Sequence, residues 1–244
     1  MPSKIKRKTL FNFEPGRILS RKYEIISLLG VGWEGEVYRV KEIDTGIERA
    51  AKFFFPKRNV RNKALKMHVK KSHALRHCRI LVQYNTIEKI HFQREEISYL
   101  ISELVEGPLL SQYIEGRPGK RILAFEGLHL LYGLSSGVSP IHHAGHHHGD
   151  LHLDNLILTR KGLEYEFKAF DFFHHTGQKS EGIFTDVLHM IDVLFEALGG
   201  PKCYARQPQY IKDIICGRKQ NLIRKKFKNA TQLKVYLQNL NILA

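Results

Sequence analysis

Four short stretches of this sequence hold residue types that handle phosphate, metal ions and protons. The first is Leu29-Gly30-Val31-Gly32-Trp33-Glu34-Gly35-Glu36-Val37, a G-x-G-x-x-G-x-V pattern. Glycine lacks a Cβ, so backbone built from it can approach a bulky anion closely. The spacing alone is ambiguous, because dinucleotide folds use similar glycines. In those folds the glycines open a helix. Here Glu36-Val37-Tyr38-Arg39-Val40 reads as a strand instead, which makes the motif a strand–turn–strand hairpin.

The second stretch is Ala50-Ala51-Lys52, with Lys52 seventeen residues past Gly35 on the next expected strand. A lysine on a mostly apolar strand needs a partner, because an unpaired buried ammonium is costly. Phosphate oxygens would serve, and a side chain snorkelling from an edge strand is the plainer alternative. The third is His148-Gly149-Asp150-Leu151-His152-Leu153-Asp154-Asn155, an H-x-D-x-x-x-x-N pattern, and the fourth is Asp171-Phe172-Phe173, sixteen residues after Asn155. Asp150 suits orienting a hydroxyl or taking its proton. Asn155 and Asp171 offer the hard oxygen ligands that Mg²⁺ prefers.

The elements around these residues change character along the chain. Strands are expected at Tyr23–Leu29, 36–42, 48–55, 80–84 and 97–104, with a turn at Asp44-Thr45-Gly46. Residues 57–79 hold nine Lys or Arg and no acid, with apolar Ala64, Leu65, Met67, Val69, Ala74 and Leu75 between them. That pattern predicts a basic amphipathic helix. Past Gly107-Pro108 the period turns helical. Leu128, Leu131, Leu134, Val138 and Ile141 share one face, with Pro140 expected to loosen the last turn. Short strands at 156–158 and 166–170 flank a turn at Lys161-Gly162. The stripe Val187, Met190, Ile191, Leu194, Phe195 and Leu198 stops at Gly199-Gly200-Pro201, and the chain from Tyr210 reads as helical and basic. Strands first and helices after define an α+β chain with two lobes.

With all these motifs in order, the chain resembles the protein-kinase superfamily from about residue 23 to residue 240. The resemblance implies a bilobal protein-kinase-like fold. A basic tail over 1–22 would precede a β-rich N-lobe over 23–106 and a helical C-lobe over 107–244. It also implies ATP-dependent transfer of a γ-phosphoryl group to a hydroxyl, with Mg²⁺, or Mn²⁺ in its place, as the metal. By resemblance, the nucleotide would be held by Leu29, Gly30, Gly32, Gly35, Val37, Ala50 and Lys52, and by the backbone at Glu103 and Val105. Asp150 and Lys52 would be catalytic, Asn155 and Asp171 would hold the metal, and Asp186 would brace the catalytic loop from a helix it opens.

Several positions depart from the family's pattern. No Asp or Glu occurs between Glu48 and Glu88, and the place of the helix glutamate that normally pairs with the strand lysine falls to His68. Three solutions are open: phosphates alone hold Lys52, an acid from elsewhere swings in, or activity is low. His152 stands where the catalytic-loop lysine is expected, a wording closer to aminoglycoside and choline kinases. Asp171 is followed by Phe-Phe rather than Phe-Gly, and Asp186 follows it by fifteen residues, leaving no room for a normal activation segment. The acceptor is therefore open between a protein Ser/Thr hydroxyl and a small molecule, and a nucleotide-binding pseudokinase or scaffold is the third reading.

Bulk properties bound these readings. A hydrophobic content of 43% with 26% charged residues is ordinary for a soluble globular chain. No segment is apolar enough to span a membrane, and the basic first 25 residues lack the apolar core of a secretory signal. Cys78, Cys203 and Cys216 read as free thiols, so a reducing cytoplasmic setting is expected. The net charge of +15 favours polyanions. Nucleic acid is not favoured, because residues 57–79 contain no aromatic side chains for base stacking. The cluster His142, His143, His146, His147, His148 and His152 has spacing that Zn²⁺ tolerates, but a helix C-terminus followed by a catalytic loop explains it better.

Overall fold

The structure, a computed structural model, describes residues 10–93, 95–161, 164–171 and 178–241. The basic run Lys4, Lys6, Arg7 and Lys8, and Phe172-Phe173 after Asp171, lie outside the described residues. The chain divides into two compact units, one of residues 1–74 and 82–105 and one of residues 75–81 and 106–244.

Among the described residues the first unit is a six-stranded antiparallel sheet of β1 (Ile18–Leu19), β2 (Tyr23–Val31), β3 (Gly35–Glu42), β4 (Glu48–Phe54), β5 (Tyr84–Phe92) and β6 (Glu95–Glu103), with the α-helix α1 (Lys63–Ala74). The strands lie in the order β1-β2-β3-β4-β6-β5. Successive residues of a strand face opposite sides of the sheet. Ala51 and Phe53 of β4 therefore enter a buried aromatic cluster with Phe11, Phe13, Tyr38 and Tyr99. Phe53 stacks on Tyr99 at 4.5 Å and meets Phe13 edge-on at 4.9 Å. Lys52 and Phe54 face the other way, where Phe54 packs with Leu65 and Leu100.

That second face is the one α1 covers. Leu65 and His68, three residues apart, are its buried positions, while Lys63, Lys66 and Lys70 are exposed. The basic amphipathic helix expected from residues 57–79 is thus present, with its lysines on the solvated side. The Asn59 side chain accepts a hydrogen bond from Leu65 N–H at 3.2 Å and helps satisfy the helix start.

Two expectations need correction here. Phe11 and Phe13 come from the stretch read as a tail, yet both are buried; Glu36, itself buried, accepts a hydrogen bond from Phe11 N–H at 2.9 Å. The strand expected at 80–84 begins instead at Tyr84 and runs to Phe92. Ile80 and Leu81 belong to the core of the second unit. An edge strand of half-buried residues such as β5 leaves only a faint alternation in sequence.

The second unit holds α2 (Leu110–Glu115), α3 (Ala124–His143), the hairpin β7 (Leu156–Lys161) and β8 (Glu164–Ala169), and α4 (Lys179–Ala197). It ends in α5 (Pro201–Tyr204), α6 (Gln209–Ile215), α7 (Gln220–Lys226) and α8 (Ala230–Gln238). The stripes expected from the sequence are its core: Leu128, Leu131, Leu134, Val138 and Ile141 of α3 are buried with Val187, Met190, Ile191 and Leu194 of α4. The helix runs on through Pro140 to His143. Glu126 of α3 gathers Tyr113 Oη at 2.8 Å, Tyr165 Oη at 2.7 Å and Arg117 at 2.9 Å, tying the hairpin to the helices. The three cysteines are free.

Candidate functional site

Each unit carries its own set of the expected residues. In the first, β2 and β3 form the hairpin whose turn is the glycine motif, closed by Gly32 N–H on Gly35 C=O at 2.8 Å. Only one of its glycines is demanded by packing. A Cβ on Gly35 would lie 1.8 Å from the Phe53 carbonyl oxygen. Gly30 has nothing within 4 Å of that position, and Gly32 only the Gly35 carbonyl at 4.0 Å. Open space above two glycines suits a cradle for a ligand rather than a packing need.

Register places Val37 opposite Lys52, and Arg39 opposite Ala50. Lys52 Nζ donates to Glu34 Oε2 at 2.8 Å. His68 Nε2 contacts the same oxygen at 3.2 Å. A carboxylate only accepts, so the Nε2 carries the proton. Burial pushes the Glu34 carboxyl up, but the His68 hydrogen bond and the Lys52 ammonium outweigh it and hold the group at about 2. Of the three solutions open from sequence, the acid from elsewhere is the one found, and it comes from the glycine turn. Sequence reasoning missed Glu34; the available signal was the register, since it precedes the strand that pairs with Lys52. Glu103 donates its N–H to the Gln83 carbonyl at 3.0 Å, and its side chain takes Gln83 N–H at 2.9 Å.

In the second unit, Asp150 and Asn155 are brought together. Asn155 is buried, and its Nδ2 donates to both the main-chain oxygen and Oδ2 of Asp150, each at 3.0 Å. With the amide nitrogen so occupied, Asn155 Oδ1 is the atom it offers a cation. Phe170 N–H donates to the Asn155 carbonyl at 3.2 Å, which fixes the residue before Asp171 beside Asn155. Asp171 itself takes the left-handed conformation, with φ of 58°, a region that aspartate tolerates better than most residues. Oxygen donors from an amide and a carboxylate fit Mg²⁺ or Mn²⁺.

His152 Nδ1 accepts from Asp154 N–H at 3.2 Å, and its Nε2 stands 3.7 Å from Asp150 Oδ2. The neighbouring imidazole lowers the Asp150 carboxyl, and Asp150 in turn raises His152 above its ordinary value. Asp150 thus carries a negative charge at neutral pH, the form that accepts a proton.

The loop holding Asp150 is pinned from below. Asp186 lies in the second turn of α4, rather than opening the helix, because α4 begins at Lys179. Its buried carboxylate accepts from His148 N–H at 2.6 Å, Gly149 N–H at 2.7 Å and His142 Nε2 at 3.0 Å. Gly149 has φ of 91°, a conformation that costs glycine little. His142 Nδ1 accepts Ala230 N–H at 2.9 Å, linking the brace to the start of α8. Three of the six clustered histidines thus have separate places: His142 in the buried brace, His148 in the loop and His152 beside Asp150.

The glycine hairpin with its paired strand lysine lies in the first unit, and the braced Asp–Asn loop followed by a second aspartate lies in the second. A sequence profile described as the protein kinase domain matches residues 23–188, more than half of the chain. The chain belongs to the protein kinase family. It is 30% identical over 158 residues to serine/threonine-protein kinase PLK4 of Xenopus laevis, covering 62% of this chain and 15% of that protein. A probable serine/threonine-protein kinase of Streptomyces coelicolor is 27% identical over 165 residues, covering 65% of this chain and 23% of that one. The chain thus spans less than a quarter of the length of these curated relatives. The solved kinase domain of Mycobacterium tuberculosis PknI, a double mutant, shares the fold with a TM-score of 0.65 at 15% identity, over 93% of this chain and 96% of that one. The protein kinase fold generally uses ATP with a divalent metal.

Proposed function

We propose that this chain is an ATP-dependent protein kinase that transfers the γ-phosphoryl group to a Ser or Thr hydroxyl. The observation that carries the reading is the Asp150–Asn155 pair: an ionised carboxylate held 3.0 Å from an amide whose oxygen is left for a metal. The Xenopus relative is a serine/threonine-protein kinase and the Streptomyces one a probable serine/threonine-protein kinase, which supports Ser/Thr as the acceptor class.

In this reading Gly30 and Gly32 give the triphosphate room, Leu29, Val37 and Ala50 lie against the nucleotide, and Lys52 contacts its α- and β-phosphates. Glu103 meets adenine through its carbonyl, because its N–H is taken by Gln83, and Val105 through its N–H. Asn155 Oδ1 and the Asp171 carboxylate would hold Mg²⁺ or Mn²⁺, which would supply neutralisation of phosphate charge. Asp150 orients the acceptor hydroxyl and takes its proton. The acceptor oxygen forms a bond to the γ-phosphorus as the bond to the β,γ-bridging oxygen breaks, and ADP leaves.

Little covalent work falls to the protein; positioning and charge do most of it. The missing α1 acid was the main ground for a pseudokinase, and the Glu34 carboxylate on Lys52 weakens it. The test is incubation with γ-labelled ATP, wild type beside Asp150→Asn, with and without added protein substrates. Label in protein for wild type alone is expected. Label confined to small molecules, or equal in both chains, would refute the reading. Among the described residues no helix is long and apolar enough to cross a membrane, and we place the chain in the cytoplasm.

A further inference from the structure

We infer that Glu34 is the positioning residue for Lys52 and that His68 anchors it, so the lysine's helix partner has been moved onto the glycine turn. The inference rests on the proposed kinase reading and extends it to a residue outside the family's pattern. Three observations within the first unit carry it.

The chemistry leaves a gap to fill. Between Glu48 and Glu88 the chain has no acid, so α1 offers Lys52 no carboxylate. The backbone then aims Lys52 at the gap. Its neighbours Ala51 and Phe53 enter the aromatic core, and strand alternation sends Lys52 to the face that α1 covers. Last, the contact is built rather than casual. Lys52 and His68 meet one oxygen of Glu34 at 2.8 Å and 3.2 Å, with side-chain exposures of 12% and 5%. Loosely held surface pairs contribute little, but a shielded lysine sharing its acceptor with a buried imidazole is held in place.

An ammonium has three N–H donors, and one of those on Lys52 serves Glu34. His68 reaches from α1 and Glu34 from the turn, so helix, turn and lysine are joined through one carboxylate.

The test uses the full chain with two independent readouts. One is kcat and KM for ATP. The other is the rate at which an N-hydroxysuccinimide ester acylates Lys52 without nucleotide, followed by peptide mass spectrometry against exposed Lys225. Glu34→Gln should lower kcat/KM about tenfold, mostly through kcat, and speed Lys52 acylation several-fold. Adding His68→Glu to Glu34→Gln returns a carboxylate to α1 and should restore both readouts to within about threefold. A merely structural role would not be rescued by moving the charge to another element. If Glu34→Gln leaves both readouts unchanged, or the double variant restores neither, the inference is overturned. If wild type turns over no ATP while acylation responds as stated, the kinase reading fails and the Glu34–Lys52 positioning stands.

Discussion

Asp186 lies buried and takes three hydrogen bonds, from His142 Nε2, His148 N–H and Gly149 N–H. Burial raises the carboxyl, but these donors, His142 foremost, bring it below the ordinary aspartate range. Removing the acceptor would strand all three donors, so Asp186→Ala should cost the helical unit about 3–5 kcal/mol, read by urea denaturation. The Asp150–His152 pair gives a second residue-level expectation. His152 is raised by Asp150, so the pair's stabilisation is present below the free histidine value and is lost as pH rises through the folded one. An NMR titration should place His152 above 6.5, and Asp150→Asn should bring it down toward that value. Both side chains are nearly half exposed, so added salt should shrink the difference.

The glycine hairpin gathers the element-scale argument. Gly35→Ala drives a Cβ to 1.8 Å from the Phe53 carbonyl, so β3 must leave β4 locally. A loss of about 2 kcal/mol or more is expected by thermal melting. Gly30→Ala and Gly32→Ala should stay within roughly 0.5 kcal/mol of wild type yet weaken ATP binding in calorimetry. The same element shows how far sequence reaches. The glycines, Lys52, Asp150, Asn155 and Asp171 could be picked out as candidates because the chemistry proposed for them is local and their spacing fixed. So were the stripes on α3 and α4, because a helix face repeats in sequence. Glu34 was not legible as a lysine partner, because the pairing depends on the register of β3 on β4 and on α1 covering one sheet face. Phe11 and Phe13 were hidden by the basic run before them; an aromatic pair without periodicity does not announce a strand-sheet core. The start of α4 was set by packing upstream of its apolar stripe.

At the scale of the molecule, the excess of 39 Lys and Arg over 24 Asp and Glu leaves a charge of +15. Like charges on a compact chain repel, and salt screens them. Raising ionic strength from about 0.01 M to about 0.15 M shortens the Debye length from about 30 Å to about 8 Å. The melting temperature should rise by about 2 °C or more, the shift that roughly 1 kcal/mol produces in a chain of this size. A flat or falling melting curve would mean that ion pairs such as Arg224–Glu181 and Lys22–Glu88 outweigh the repulsion. The central claim, that the oxygen of Asp171 holds a catalytic metal for phosphoryl transfer, is tested most directly by ATP turnover of Asp171→Ala with Mg²⁺ or Mn²⁺. The account predicts metal-dependent turnover in wild type and a fall of about 100-fold or more in the variant. Wild-type turnover by Asp171→Ala would contradict it.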